Sequence, residues 1–272
     1  MLRDCLTQLD GVVTWPCDEI NYIWRHGNRE EATDEFTAAH ARPPVRAFIR
    51  SRFADIARRA TAADRSRREG PIIVEKTCAN SLRVPFVDAV LPEARYLYIV
   101  RDGRDVVASA GKRWKAPLDL PYILAKARYV PVSDLPYYAT RYALNRLRKL
   151  RSSDATLSVW GPRFEGMQAL AETASNEAVC AAQWSRCVER SDAAFESIAP
   201  ERVLRVRYED FVSSPAEHMM RIGEFVGRPF SPDAIAAATA NVRVSSVGKG
   251  GRELPPDVLS RMEAMLARHG YS

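Results

Sequence analysis

The apolar positions of this chain change period several times, and each change predicts an element. Residues 1–9 place Leu2, Cys5, Leu6 and Leu9 at helical spacing until Gly11 and Pro16 break the pattern. No N-cap residue precedes them, so the chain is expected to open inside a helix. Pro43 to Ala60 predicts an amphipathic helix with Val45, Phe48, Ile49, Phe53 and Ile56 on one face. Three short apolar runs read as strands: Pro71–Glu75, Arg95–Val100 and Arg202–Arg207. Leu82 to Leu91 predicts a helix bent at Pro85, and a second helix runs from about Arg104 to Trp114. Further helices are expected over Ala174–Phe195, Pro215–Val226, Asp233–Ala240 and Pro256–His269. Short apolar strands alternating with helices predict the α/β class, with a buried parallel sheet flanked by helices.

The stretch from about 116 to 166 departs from that alternation. It is punctuated by Pro117, Pro121, Pro131 and Pro136 and then turns basic and aromatic over Tyr137–Arg151. It reads as a helical insertion on the substrate side of a single domain spanning 1–272. Trp114, Tyr122, Tyr129, Tyr137, Tyr138 and Tyr142 are expected to line a pocket there. The basic residues from Arg141 to Arg151 suit an acidic ligand, a lipid surface or a solvated helix face.

Composition adds exclusions. With 272 residues and 46% hydrophobic residues the chain can bury one large core. A formal net charge of +6 suits an anionic ligand but is too dispersed to indicate nucleic acid. Five cysteines without a Cys-x-x-Cys pair point to a reducing compartment, and the expected location is cytoplasmic. The four histidines have no zinc-ligand spacing, so no metal is expected. No apolar run approaches the ~18 residues of a membrane span. Peripheral membrane contact stays open.

The densest chemistry lies at Tyr98-Ile-Val-Arg101-Asp102-Gly103-Arg104-Asp105, followed by Ser109. A strand ends at Val100 and a helix opens within a few residues. Strand carboxyl ends collect ligands in open α/β sheets, and a helix N-terminus favours anions. Arg101 adds a fork of donors for phosphate oxygens, Ser109 a hydroxyl two turns on, and Gly103 is expected to relieve the turn. The same four charged residues also read as a surface cluster in which they pair with one another.

This segment resembles the 3′-phosphate-binding motif of sulfotransferases that use 3′-phosphoadenosine 5′-phosphosulfate. In that motif a strand is followed by Arg-Asp-Pro/Gly-Arg-Asp and a Ser eight residues after the first Arg. The resemblance implies a P-loop-NTPase-like parallel sheet flanked by helices and assigns the 3′-phosphate to Arg101 and Ser109. Glu75-Lys76-Thr77 resembles the family's Lys-Thr segment, which puts Lys76 beside the transferred sulfuryl group; otherwise Lys76 reads as a solvated strand-end lysine. Where the cytosolic branch has a catalytic His, this chain has Cys78. Arg207-Tyr208-Glu209-Asp210 resembles the segment whose Tyr packs beside adenine, which assigns that role to Tyr208. The Gly-rich stretch around Lys249 and Gly250 resembles the C-terminal loop that closes over the 3′-phosphate, its backbone amides wrapping the anion, although no Arg precedes Lys249. Trp184 resembles a Trp that bacterial members carry on the long helix and is expected in the core.

The resemblance implies transfer of a sulfuryl group to a hydroxyl or amine of a small-molecule, glycan or lipid acceptor. Some members place a Glu after the first helix, which makes Glu19 the expected general base; a solvated acidic pair with Asp18 is the alternative. The family's other phosphate loop, Gly-x-x-Arg/Lys-Ser-Gly-Thr, has no counterpart in the sequence. The first strand and that loop are accordingly expected to be absent, by truncation or by loss. Two competing readings follow: a P-loop nucleotide kinase, which needs a phosphate loop of its own, and a non-catalytic nucleotide-binding or partner-binding protein.

Overall fold

The computed structural model describes residues 1–64, 69–114, 129–140, 161–244, 247–250 and 254–271, with side chains 112–114 left out. Two short parallel ribbons form its centre. β1 (Val12–Val13) pairs with β2 (Ile72–Ile73), and β3 (Tyr96–Val100) pairs with β4 (Val203–Arg207). The ribbons are not hydrogen-bonded to each other, yet Val12, Ile72, Leu97, Leu204 and Val206 share one apolar cluster. The expected parallel sheet is thus present in two pieces.

Side-chain alternation assigns the faces of the longer ribbon. Tyr96, Tyr98, Val100 and Val203 face a core shared with α5 (Gly103–Trp114), α7 (Asn176–Phe195) and α11 (Pro256–Arg268). Leu97, Leu204 and Val206 face the opposite way, towards α1 (Leu2–Leu6), α8 (Tyr208–Ser213), α9 (Pro215–Phe225) and α10 (Pro232–Thr239). A third cluster gathers Trp15, Trp24, Phe36 and Phe86 from the N-terminal arm, α2 (Asn21–Trp24), α3 (Pro43–Ala63) and α4 (Val84–Val90). The remaining described helix with a named range is α6 (Met167–Thr173).

Local chemistry explains several boundaries. Ser175 and Ser231 cap α7 and α10, each accepting the backbone N–H three residues on at 3.2 Å. Prolines occupy the first turns of α3, α9 and α11, where the missing N–H has no partner to lose. Pro85 does the same for α4: it starts that helix instead of bending it, and Cys78–Leu82 before it is a 3-10 turn. Strand β2 is two residues long, shorter than the 71–75 run predicted.

Candidate functional site

The register of the longer ribbon builds the first half of the site. Val100 lies beside Arg207, so the next residues, Arg101 and Tyr208, leave the sheet together at its carboxyl edge. The Arg101 guanidinium sits over the Tyr208 ring, 4.6 Å from its centroid. Arg101 also lies 3.6 Å from the Asp105 carboxylate, one turn into α5, and its side chain keeps 23% exposure.

Three remote side chains hold the backbone of this turn. Tyr271 donates to the Val100 carbonyl at 3.2 Å, Trp184 Nε1 donates to the Arg101 carbonyl at 3.2 Å, and the Asp102 N–H donates to Glu209 Oε1 at 3.0 Å. Tyr271 also donates to Glu209 Oε2 at 2.9 Å, which closes the set. Trp184 is buried as expected, but its indole N–H carries this further task, which its helical spacing did not show. Glu209, expected to be helix-capping or structural, thus holds the turn, whereas Tyr271 had no assigned part. The available signal was a carboxylate next to Tyr208 and a terminal phenol, since a polar group that becomes buried must find a partner.

Asp102 caps α5 by accepting the Arg104 N–H at 2.8 Å and also grips the Arg104 guanidinium at 2.7 Å. The internal charge pairing anticipated for this segment therefore forms, while Arg101 faces the sheet edge. Gly103 serves a different purpose from the one expected. Its φ is not positive, and a Cβ there would lie 2.7 Å from the Trp184 ring, so close packing demands the glycine. Ser109 lies exposed on α5, one turn beyond Asp105 on the same helix face.

The Gly-rich loop reaches this half of the site from the C-terminal side. Gly248 N–H donates to Asp105 Oδ2 at 2.9 Å and Gly250 N–H to Asp105 Oδ1 at 2.7 Å. The anion that these two amides wrap is thus Asp105, and the exposed Lys249 side chain is the loop's remaining cationic group among 247–250. Gly248 needs its glycine for a φ of 75°, and Gly250 because a Cβ would collide with the Arg104 carbonyl.

The second half of the site follows β2. Lys76 Nζ donates to Glu19 Oε1 at 3.0 Å, and the Cys78 N–H donates to the same oxygen at 3.3 Å. The Thr77 hydroxyl accepts the Ile20 N–H at 3.2 Å and donates to Glu75 at 2.5 Å. Segments 19–20 and 75–78, far apart in the chain, are latched by these bonds. Burial pushes the Glu19 carboxyl up, but the Lys76 charge and the donors on Cys78 and Lys76 outweigh it and hold the group below its ordinary value. Lys76 is held above its ordinary value: burial lowers it, but the nearby Cys78 and Glu19 outweigh that effect. Burial and Glu19 push the Cys78 thiol up to about 11, so it stays protonated at neutral pH and is no base.

Helix α1 joins the halves. Tyr208 OH contacts Met1 Sδ at 3.7 Å on one side, and Arg3 binds the Cys17 and Asp18 carbonyls at 3.1 and 2.8 Å on the other. Of the insertion, residues 129–140 are described. Tyr137 donates to the Arg29 carbonyl at 2.9 Å, Tyr138 packs edge-on against Tyr22, and Asp134 is fully buried against His26 at 2.9 Å and Arg29. These two tyrosines anchor the insertion to the N-terminal arm. Tyr122, Tyr142, the Trp114 side chain and the basic run at 141–151 lie outside what is described. Among the described residues no group of His, Cys, Asp and Glu is arranged for a metal, and no helix is long and apolar enough to cross a membrane.

Comparison with known proteins gives two positive findings. A family model described as "Sulfotransferase family" matches residues 148–232. That segment contains Tyr208 but neither Lys76 nor Arg101, so it supports the reading independently of those motifs. A solved structure titled "Sulfotransferase Domain from the Curacin Biosynthetic Pathway" matches with a TM-score of 0.54 at 12% identity, covering 100% of this chain and 93% of that one. At that identity the likeness concerns the fold. No curated protein matches.

Proposed function

We propose, from the premise of the sulfotransferase-family assignment that the match at 148–232 and the fold support, that this chain transfers a sulfuryl group from 3′-phosphoadenosine 5′-phosphosulfate to an acceptor hydroxyl or amine. The observation that carries the reading is the meeting of Arg101 and Tyr208 at one sheet edge, with the guanidinium 4.6 Å from the ring centroid. A phosphate-binding fork beside an aromatic platform suits a purine nucleotide that carries a phosphate on its ribose. In this reading Arg101, Ser109 and Lys249 take the 3′-phosphate, the Gly250 backbone shapes that contact, and Tyr208 packs beside adenine.

The chemistry falls to the second half. The acceptor oxygen or nitrogen attacks sulfur, the bond from sulfur to the 5′-phosphate oxygen breaks, and adenosine 3′,5′-bisphosphate leaves with the electron pair. Lys76 stabilises the charge that grows on the leaving oxygen. Glu19 is ionised at neutral pH and accepts the acceptor's proton. The acceptor is a small molecule, glycan or lipid approaching from the insertion side.

The test is release of adenosine 3′,5′-bisphosphate from the donor across a panel of phenol, sugar and lipid acceptors, with Lys76→Ala as control. Acceptor-dependent release that the substitution sharply slows supports the transferase. Tight donor binding without release for any acceptor favours the non-catalytic nucleotide-binding reading.

A further inference from the structure

We infer that Asp105 is a positioning residue that fixes the Gly-rich loop over the Arg101 edge and thereby sets the preference for a nucleotide with a 3′-phosphate. The inference rests on the nucleotide reading above and adds a residue to it. Asp105 is 3% exposed and lies in the first turn of α5, where the free N–H groups and the helix dipole favour a carboxylate. Both of its oxygens are committed to the loop, one to Gly248 N–H at 2.9 Å and one to Gly250 N–H at 2.7 Å. A single carboxylate thus ties down the residues on either side of Lys249.

Three further features fit a tether whose position matters. The loop backbone rests directly on the first turn of α5, since a Cβ at Gly250 would meet the Arg104 carbonyl and would stand 2.5 Å from the Asp105 nitrogen. Gly248 takes the left-handed turn that brings both amides round to one carboxylate. Arg101 lies 3.6 Å from the same carboxylate, so Asp105 also orients the guanidinium electrostatically. Asp105 therefore links the two cations proposed for the 3′-phosphate: Arg101 through charge, and Lys249 through the backbone on both sides of it.

The experiment compares wild type, Asp105→Asn and Asp105→Ala. It measures calorimetric affinities for adenosine 3′,5′-bisphosphate and for AMP, and the rate of trypsin cleavage after Lys249 identified by mass spectrometry. Asp105→Ala is expected to weaken the bisphosphate about tenfold or more, as loss of charge-assisted bonds would. AMP affinity should hardly change, and cleavage after Lys249 should accelerate. Asp105→Asn keeps one acceptor oxygen and should recover part of both effects. A bisphosphate-to-AMP ratio equal to wild type in the folded Ala variant overturns the inference, as does an unchanged cleavage rate. Should Asp105→Ala fail to fold, Gly250→Ala displaces the loop with Asp105 intact and must reproduce the loss of preference. If wild type itself shows no preference, the nucleotide reading fails, and cleavage after Lys249 still decides the tether.

Discussion

The two halves of the site are built on opposite plans. At the Arg101 turn, three side chains from α7, α8 and the C-terminal segment hold consecutive peptide groups, and two glycines admit packing that no Cβ would allow. At the Lys76 end, the reactive groups stand more open, with Lys76 49% and Glu19 26% exposed, and are held chiefly by each other. On the proposed reading, the difference teaches that nucleotide recognition is preorganised, while the transfer groups can exchange partners when donor and acceptor arrive. A partly exposed ion pair adds little to stability, so the Lys76–Glu19 contact can be altered without disturbing the fold. Changes to the contacts that pin the first half cost stability.

The sharpest test of that contrast is Lys76→Ala. It should lower kcat by about 10²–10³-fold, the range for losing one transition-state donor, with the KM for the sulfuryl donor nearly unchanged. Urea denaturation should find the variant as stable as wild type. A comparable loss in both kcat and stability would erase the distinction. The pH profile offers a second reading of the same pair. Glu19 is held below its ordinary 4.5, so the acid limb of kcat/KM should fall below that value. Any stability from the pair is present above pH 4.5 and is lost as pH falls through the depressed value. Activity remaining in Lys76→Ala should show this limb moved upward.

Gly103→Ala probes the preorganised half. Its Cβ would press on the Trp184 ring, and overpacking of this kind costs about 1–3 kcal/mol, read as a lower urea midpoint. Trp184→Phe should cost about 1 kcal/mol and weaken bisphosphate binding, because the Arg101 carbonyl loses its donor while the ring packing stays. A Phe variant with unchanged affinity would mean that the pinned backbone is irrelevant to the ligand. The smallest effect concerns Glu75, whose carboxyl burial raises above its ordinary 4.5 despite the hydrogen bond from Thr77. Below that value Glu75 is protonated in both folded and unfolded chains. As pH rises past it, only the unfolded chain ionises freely, so wild type loses stability. Glu75→Gln escapes that loss, and its stability advantage should grow between about pH 4 and pH 7.

How far the sequence was legible depended on whether a feature was local. The β3–α5 and β4 segments could be read because an apolar run ends in charged residues at the sheet edge, and Arg101 and Tyr208 meet there as their register requires. Strand β1 was not legible, because two residues between Gly11 and Pro16 show no period. Helix α8 was hidden because it begins at the residue after β4, leaving no loop to mark the change. The insertion's tyrosines had the right composition for a pocket, but Tyr137 and Tyr138 are used as anchors against partners more than 100 residues earlier in the chain. The bonds that hold the Arg101 turn come from residues 83 to 171 positions away, and nothing at those positions announces the partner. Gly103 was expected to relieve a turn and Gly250 to belong to an anion-wrapping loop, but the actual need for glycine, contact with a ring and with a carbonyl, belongs to the assembled fold.

The most direct measurement of the central claim is calorimetric binding of adenosine 3′,5′-bisphosphate against AMP, on the wild-type chain and on Arg101→Ala. The account predicts a clear preference for the bisphosphate in wild type. Arg101→Ala should lose about 10–100-fold of that affinity, as expected for removing charge-assisted hydrogen bonds, with AMP binding little altered. Equal binding of the two nucleotides by folded wild-type protein, or an Arg101→Ala variant that keeps the preference, would contradict it.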